Sequence, residues 1–141
     1  MGLDRGPRPD DSMTAVLLDT HVLLWCATET ERLSDRAAAA VKAADELVVA
    51  PVSWWELSWL VQRGRLRIRK PLRGWLQELA TGVRTAALTP AIASTAAELP
   101  VAFPRDPFDR LIYATAIEGG LSLVTADRAI RAHDAGGRVV W

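Results

Sequence analysis

Asp19, Glu56, Asp109 and Asp127 are four carboxylates drawn from distant parts of a 141-residue chain. Each stands where an apolar run of strand type gives way to helical spacing, and in a parallel α/β fold that boundary is one edge of the sheet, the edge at which such folds bind ligands. Four acids at one rim repel one another unless a divalent cation holds them, and oxygen-only ligands favour Mg2+ or Mn2+ over softer metals. Such an ion acidifies water and offsets charge on a phosphodiester, so the set points to metal-dependent chemistry on phosphates.

Each acid also has a structural reading. Ser53-x-x-Glu56 has the spacing of a capping box. Asp106-Pro107-x-Asp109 reads as N-cap, first-turn proline and an acid at the positive helix end. Asp19 and Asp127 also stand at helix beginnings. One acid alone is explained by capping. Four at one rim are not, because helix dipoles do not require every cap to be acidic. Thr20 and Thr125, beside two of the acids, have the chemistry to orient a ligand or water, or to cap helices.

The elements that must position these groups alternate. Ala15–Leu18 and Leu47–Ala50 are short buried strands. Thr20–Thr28 has helical spacing between them, and Arg36–Glu46 is an alanine-rich helix begun by Ser34-Asp35. Ser53–Arg63 is helical and stops at Gly64, and Pro71–Thr81 is a helix with proline at its start and Gly82 at its end. Thr85–Leu88 reads as a third strand, Pro90–Leu99 as a helix, 104–107 as a loop into the helix Phe108–Glu118, and Leu121–Val124 as a fourth strand. A short helix Asp127–Asp134 and a last strand Arg138–Trp141 complete the chain. Strands separated by helices predict an α/β fold: a three-layer α/β/α sandwich around a parallel sheet of four or five strands.

With 50% hydrophobic residues, 141 residues support one core, assigned to 13–141. Residues 1–12 combine alternating charges with two glycines and two prolines, which predicts a disordered extension and makes Met13 a candidate start. The 17 basic and 17 acidic residues give no net charge, so any nucleic-acid contact must be a local patch. One cysteine forms no internal disulfide and two distant histidines have no zinc-type spacing, which suits a reducing cytoplasm. No apolar run reaches the roughly 20 residues needed to span a bilayer, so no membrane association is expected.

Two further segments bear on partners. Arg63–Arg73 holds six basic residues in eleven. Arg65, Arg67 and Arg69 alternate with Leu66 and Ile68, so an extended chain would offer three arginines on one face to backbone phosphates or an acidic peptide. The bland alternative is a solvated edge whose charges prevent strand pairing. Trp54, Trp55 and Trp59, with Leu57, Leu60 and Val61, make the helix after Ser53 apolar nearly all round. It is either wholly buried or half covered by a second copy or partner.

Leu17-Leu-Asp-Thr-His-Val-Leu-Leu-Trp25, Val52-Ser-Trp-Trp-Glu56 with Arg63-Gly-Arg-Leu66, Arg105-Asp-Pro-Phe-Asp-Arg-Leu-Ile112 and Leu123-Val-Thr-Ala-Asp127 closely resemble the signature blocks of PIN-domain proteins of the VapC toxin type. The resemblance covers about residues 13–141. It implies that Asp19, Glu56, Asp109 and Asp127 form an Mg2+ site, that the activity is that of an endoribonuclease toxin, and that the partners are an RNA substrate, an antitoxin encoded beside it and a second copy in a homodimer. All four acids of the family pattern are present. Two alternatives stand beside it: a non-catalytic interaction module on the same fold, and a phosphoacceptor receiver domain. The latter requires paired acids after the first strand and a late lysine, and neither is present.

Overall fold

The computed structural model describes residues 13–141, so the extension expected over 1–12 lies outside the described residues. Five parallel strands form one sheet: β1 (Ala15–Leu18), β2 (Glu46–Val49), β3 (Arg84–Thr85), β4 (Ser122–Val124) and β5 (Val139–Val140), in the order β3-β2-β1-β4-β5. The helices are α1 (Thr20–Thr28), α2 (Asp35–Ala43), α3 (Pro51–Gln62), α4 (Leu72–Ala80), α5 (Pro90–Ala97), α6 (Pro107–Gly119) and α7 (Arg128–Ala132). Parallel strands cannot be joined by tight hairpins, so every connection is a crossover carrying helices over a face of the sheet.

The two faces follow from the period of two. In β1, Val16 and Leu18 point into one core with Val49, Val124, Leu23, Leu57 and Trp75, whereas Leu17 points into the other with Val48, Leu123, Ile112, Tyr113 and Ile130. Leu17, Leu18, Val48, Val49, Leu123 and Val124 have no measurable exposure. This is why the strands read as unbroken apolar runs: both sides are covered. With β1 central and paired in register to β2 and β4, the chain after each of these strands emerges at one sheet edge.

Several expectations differ from the structure; the helix expected over Arg36–Glu46 ends at Ala43, and Glu46 opens β2. The third strand is Arg84–Thr85, not Thr85–Leu88, because pairing with β2 ends at Ala86, whose N–H donates to the Val49 carbonyl at 2.9 Å. The helix assigned from Ser53 begins at Pro51, so Ser53 and Glu56 both lie inside it and the capping-box reading of that pair fails. The arginine segment is not a strand. Beyond the end of α3 at Gln62, Gly64 takes φ +71° and the Arg65 N–H reaches back to the Leu60 carbonyl at 2.9 Å, a glycine-dependent C-terminal turn. Leu66 and Ile68 pack on the core while Arg65, Arg67 and Arg69 are exposed, so the alternation is real without a ladder partner.

Leu17 contributes a fully buried side chain on the central strand, so Leu17→Ala should cost about 3 kcal/mol by lost transfer energy and a residual cavity. Thermal denaturation is expected to show a melting temperature lower by roughly 10 °C, with the same circular dichroism at 20 °C or so.

Candidate active site

Asp19 follows β1 and caps α1, its backbone N–H continuing the β1–β4 ladder to the Val124 carbonyl at 3.0 Å. Its Oδ1 accepts the Thr20 N–H at 2.8 Å and its Oδ2 accepts the Thr125 hydroxyl at 2.5 Å. Thr125 follows β4 and its Oγ1 in turn accepts the Asp127 N–H at 3.1 Å. Asp127 caps α7 through the Ile130 N–H at 2.9 Å. One hydroxyl therefore ties the acid after the central strand to the loop that carries the acid after β4.

Glu56 is held from the other side. Thr20 Oγ1 donates to Glu56 Oε1 at 2.6 Å and lies 2.8 Å from Ser53 Oγ. A hydroxyl has one proton to give, so with Glu56 ionised Ser53 must donate to Thr20. Both hydroxyl residues are completely buried. Ser53 has a role that the sequence did not disclose: its spacing to Glu56 suggested a cap, whereas the fold uses it one helical turn away to fix the hydroxyl that orients Glu56. Thr20 and Thr125 do not cap; both donate to carboxylates.

Asp109 reaches the same rim by a different route. It does not follow a strand, as the sequence suggested: α6 follows α5 through an irregular connection, and its N-terminus sits at this edge because the helix leads down to β4. Asp106 is the N-cap, its Oδ1 accepting the Phe108 N–H at 2.8 Å and the Asp109 N–H at 3.4 Å. Asp109 lies in the first turn, nearly one turn beyond the cap.

The electrostatics show that the four acids share one environment. Burial pushes the Asp109 carboxyl up to about 7, and the charges of Asp106, Asp19, Asp127 and Glu56 add to the shift. Burial likewise raises Asp19, against the opposing hydrogen bonds of Thr125 and Thr20 and the charge of His21. It raises Glu56 too, opposed by Thr20, with Asp19 adding to the rise. The charge of His21 opposes the rise at both Asp19 and Glu56, a contribution that the histidine spacing in the sequence does not reveal. Among the described residues no three His, Cys, Asp or Glu side chains close around a single point. The donor set is oxygen-only, and its mutual repulsion is what a divalent cation would relieve, so the residues present fit Mg2+ or Mn2+ in chemistry and in charge.

Arg65, Arg67 and Arg69 are not part of this cluster. They lie on the exposed stretch after α3. Near them α3 leaves Trp55 58% and Trp59 36% exposed, and the Arg63 guanidinium lies 4.8 Å from the Trp59 ring. The helix is therefore half covered, not wholly buried. No helix of the described residues is long and apolar enough to cross a membrane.

A parallel β3-β2-β1-β4-β5 sheet with acids gathered beyond the ends of its central strands defines an α/β protein of the PIN type, and the family comparison agrees. Residues 16–136 match the model of the PIN domain, and the chain belongs to that family. It is 54% identical over 121 residues, 86% of this chain and 93% of the relative, to ribonuclease VapC22 of Mycobacterium tuberculosis. Similar solved structures include a toxin–antitoxin complex from Klebsiella pneumoniae, with TM-score 0.62, 20% identity and coverage of 89% of this chain and 96% of that one. VapBC2 from Rickettsia felis, bound to a promoter DNA fragment, gives a TM-score of 0.64 at 14% identity over 85% and 93% of the two chains. At these identities the solved structures establish the fold alone.

A carboxyl whose pKa is raised by folding binds its proton more tightly in the native state, so it stabilises the fold below its unfolded value of about 4 and loses that contribution as pH rises through about 7. In EDTA the melting temperature is expected to fall between pH 5 and 8 or so, and Asp109→Asn is expected to flatten that fall and raise the melting temperature at the alkaline end. Thermal scans across pH check it. An unchanged slope in the variant would show that Asp109 is not strained by its neighbours.

Proposed function

We propose that this protein is a Mg2+- or Mn2+-dependent endoribonuclease, the toxin of a toxin–antitoxin pair. The observation that carries this reading is the set of Asp19, Glu56, Asp109 and Asp127: Thr20 ties Asp19 to Glu56, Thr125 ties Asp19 to the Asp127 backbone, and Asp109, raised by burial, feels the charges of the other three. The 54% identity to a protein named as a ribonuclease supports RNA as the substrate class. Single-stranded or loop RNA suits an open rim, which reaches an unpaired backbone more readily than the interior of a duplex.

The four carboxylates are the residues that would hold the ion. When bound, it supplies Lewis acidity, acidifying water and offsetting the charge that gathers on the phosphodiester in the transition state. The protein's own part is positional. Thr125 fixes Asp19, Thr20 fixes Glu56 with Ser53 behind it, and Asp106 fixes the first turn of α6 and so the backbone of Asp109. Buried hydroxyls in such roles leave the carboxylate oxygens with few orientations, which favours a preorganised site.

Purified protein is expected to cleave RNA with Mg2+ or Mn2+ and to be silent in excess EDTA. Asp109→Asn and Asp19→Asn are expected to lower the rate by two orders of magnitude or so, because an amide does not supply the charge. Asp106→Asn is expected to keep most activity, since Asn is itself a good cap. Cleavage assays at saturating Mg2+ with parallel melting curves test this. An active Asp109→Asn together with a dead Asp106→Asn would move the third ligand by one turn.

The reading includes an antitoxin and a homodimer. The similar structures from Klebsiella pneumoniae, a toxin–antitoxin complex, and Rickettsia felis, VapBC2, support a protein partner, and the exposed Trp55 and Trp59 of α3 beside the basic stretch supply an apolar and cationic face for protein contacts. Light scattering is expected to give a dimer, or a larger complex when the product of the neighbouring gene is added. Trp55→Glu with Trp59→Glu is expected to weaken assembly while leaving the melting temperature within a few degrees, since both rings are solvent-facing. A monomer that binds no such product would count against this part of the reading.

A further inference from the structure

Arg110 follows Asp109 on α6, and a cation beside a carboxylate cluster that receives a phosphodiester invites reading as a phosphate ligand. Its bonds point elsewhere. Nε donates to the Pro104 carbonyl at 2.9 Å, Nη1 to Ala96 at 3.2 Å and Leu99 at 3.3 Å, and Nη2 to Pro100 at 3.1 Å and Phe103 at 3.3 Å. A guanidinium has five N–H donors in a fixed fork. Here all five end on main-chain carbonyls, and the group also lies 5.9 Å from the Phe103 ring.

Those carbonyls belong to the last turn of α5 and to the connection that delivers Asp106. The end of α5 leaves carbonyls without helical partners, and a cation there is favoured by the helix dipole. The connection belongs to no helix or strand, and Pro100 and Pro104 have no N–H to contribute. Arg110 sits one residue beyond Asp109 on a rigid helix, so it joins the start of α6 to the chain that feeds it. Asp106 closes the loop, accepting the N–H groups of Phe108 and Asp109.

We propose that Arg110 is a positioning residue for the acidic site: by gathering five carbonyls of the α5–α6 connection it fixes where Asp106 caps α6 and hence where the Asp109 carboxylate stands, and it takes no part in binding RNA. This rests on the metal-dependent ribonuclease reading given above. A displacement of about 1 Å in such a group can lower a rate by two orders of magnitude.

Arg110→Lys keeps the charge but offers three donors on a flexible stem, and Arg110→Gln removes the charge. Three measurements on the full chain decide the matter: kcat and KM for RNA cleavage at saturating Mg2+, RNA affinity in EDTA as a function of salt, and amide hydrogen exchange over residues 96–109. Both variants are expected to lower kcat at least roughly tenfold with KM and the salt dependence of RNA affinity unchanged. Exchange should accelerate in 99–106 and at Asp109 while the strands stay protected, and adding Asp106→Ala to Arg110→Gln should lower kcat by less than the product of the separate effects.

A raised KM and a salt slope smaller by about one in Arg110→Gln, both restored in Arg110→Lys, would make the residue a phosphate ligand and overturn the proposal. Full kcat in Arg110→Lys would overturn it as well. If Arg110→Gln does not fold, the lysine variant carries all three measurements. Should the wild-type protein fail to cleave RNA, the ribonuclease reading falls, whereas exchange still tests Arg110: protection of 99–106 unaltered in the lysine variant refutes its organising role regardless of catalysis.

Discussion

Asp19 is 8% exposed at the end of the central strand, and the arrangement of the rim depends on keeping its carboxylate there. Burying a charged group without partners is costly, so the fold gives it two donors, the Thr20 N–H and the Thr125 hydroxyl. Those donors lie after β1 and β4, which pair in register, so the sheet itself sets the distance between them. The site is thus coupled to the most buried part of the molecule, the apolar strands whose two faces form the two cores.

A second constraint is the excess of like charge. Burial, with the charges of Asp106, Asp19, Asp127 and Glu56 added, raises Asp109 to about 7, so its ionised form costs the fold stability. Hydrogen bonds to Asp19 and Glu56 offset part of the repulsion without removing it. Like charges gathered in a partly buried place cost stability, which the surrounding structure must offset. The hydroxyl groups of Thr20, Ser53 and Thr125 are best understood as the parts that make the arrangement tolerable, since none is exposed.

α3 shows how one element serves two ends. Its buried side carries Ser53 and Leu57, which anchor the site and the core, and its outer side leaves Trp55 and Trp59 to solvent. The glycine-dependent turn at its end then lays Leu66 and Ile68 against the core and leaves the alternating arginines outside. A partner bound to that face would rest on the helix that carries Glu56, so assembly and the geometry of the rim share one rigid body.

Much of this was legible in the sequence, because buried parallel strands are apolar on both faces and helices announce themselves by caps. Ala15–Leu18 ended where expected, and Asp106 caps as its proline and acid spacing indicated. What the sequence could not settle depended on partners distant along the chain. Ser53 and Glu56 have capping-box spacing, yet Pro51 starts the helix earlier, so only the position of Thr20 reveals what the serine does. Arg65 to Arg69 have a strand's alternation, but alternation reports which side faces the core, and a strand also needs a neighbour with free N–H and C=O groups. Asp109 looked like an acid after a strand, whereas α6 reaches the rim after α5. Arg110 carries no local signal at all, since its five acceptors span residues 96–104 and come together only when α5 packs on α6. Local spacing determines which residues can cap, ligate or pack; the tertiary fold decides which of them meet, because the competing partners are supplied by other segments.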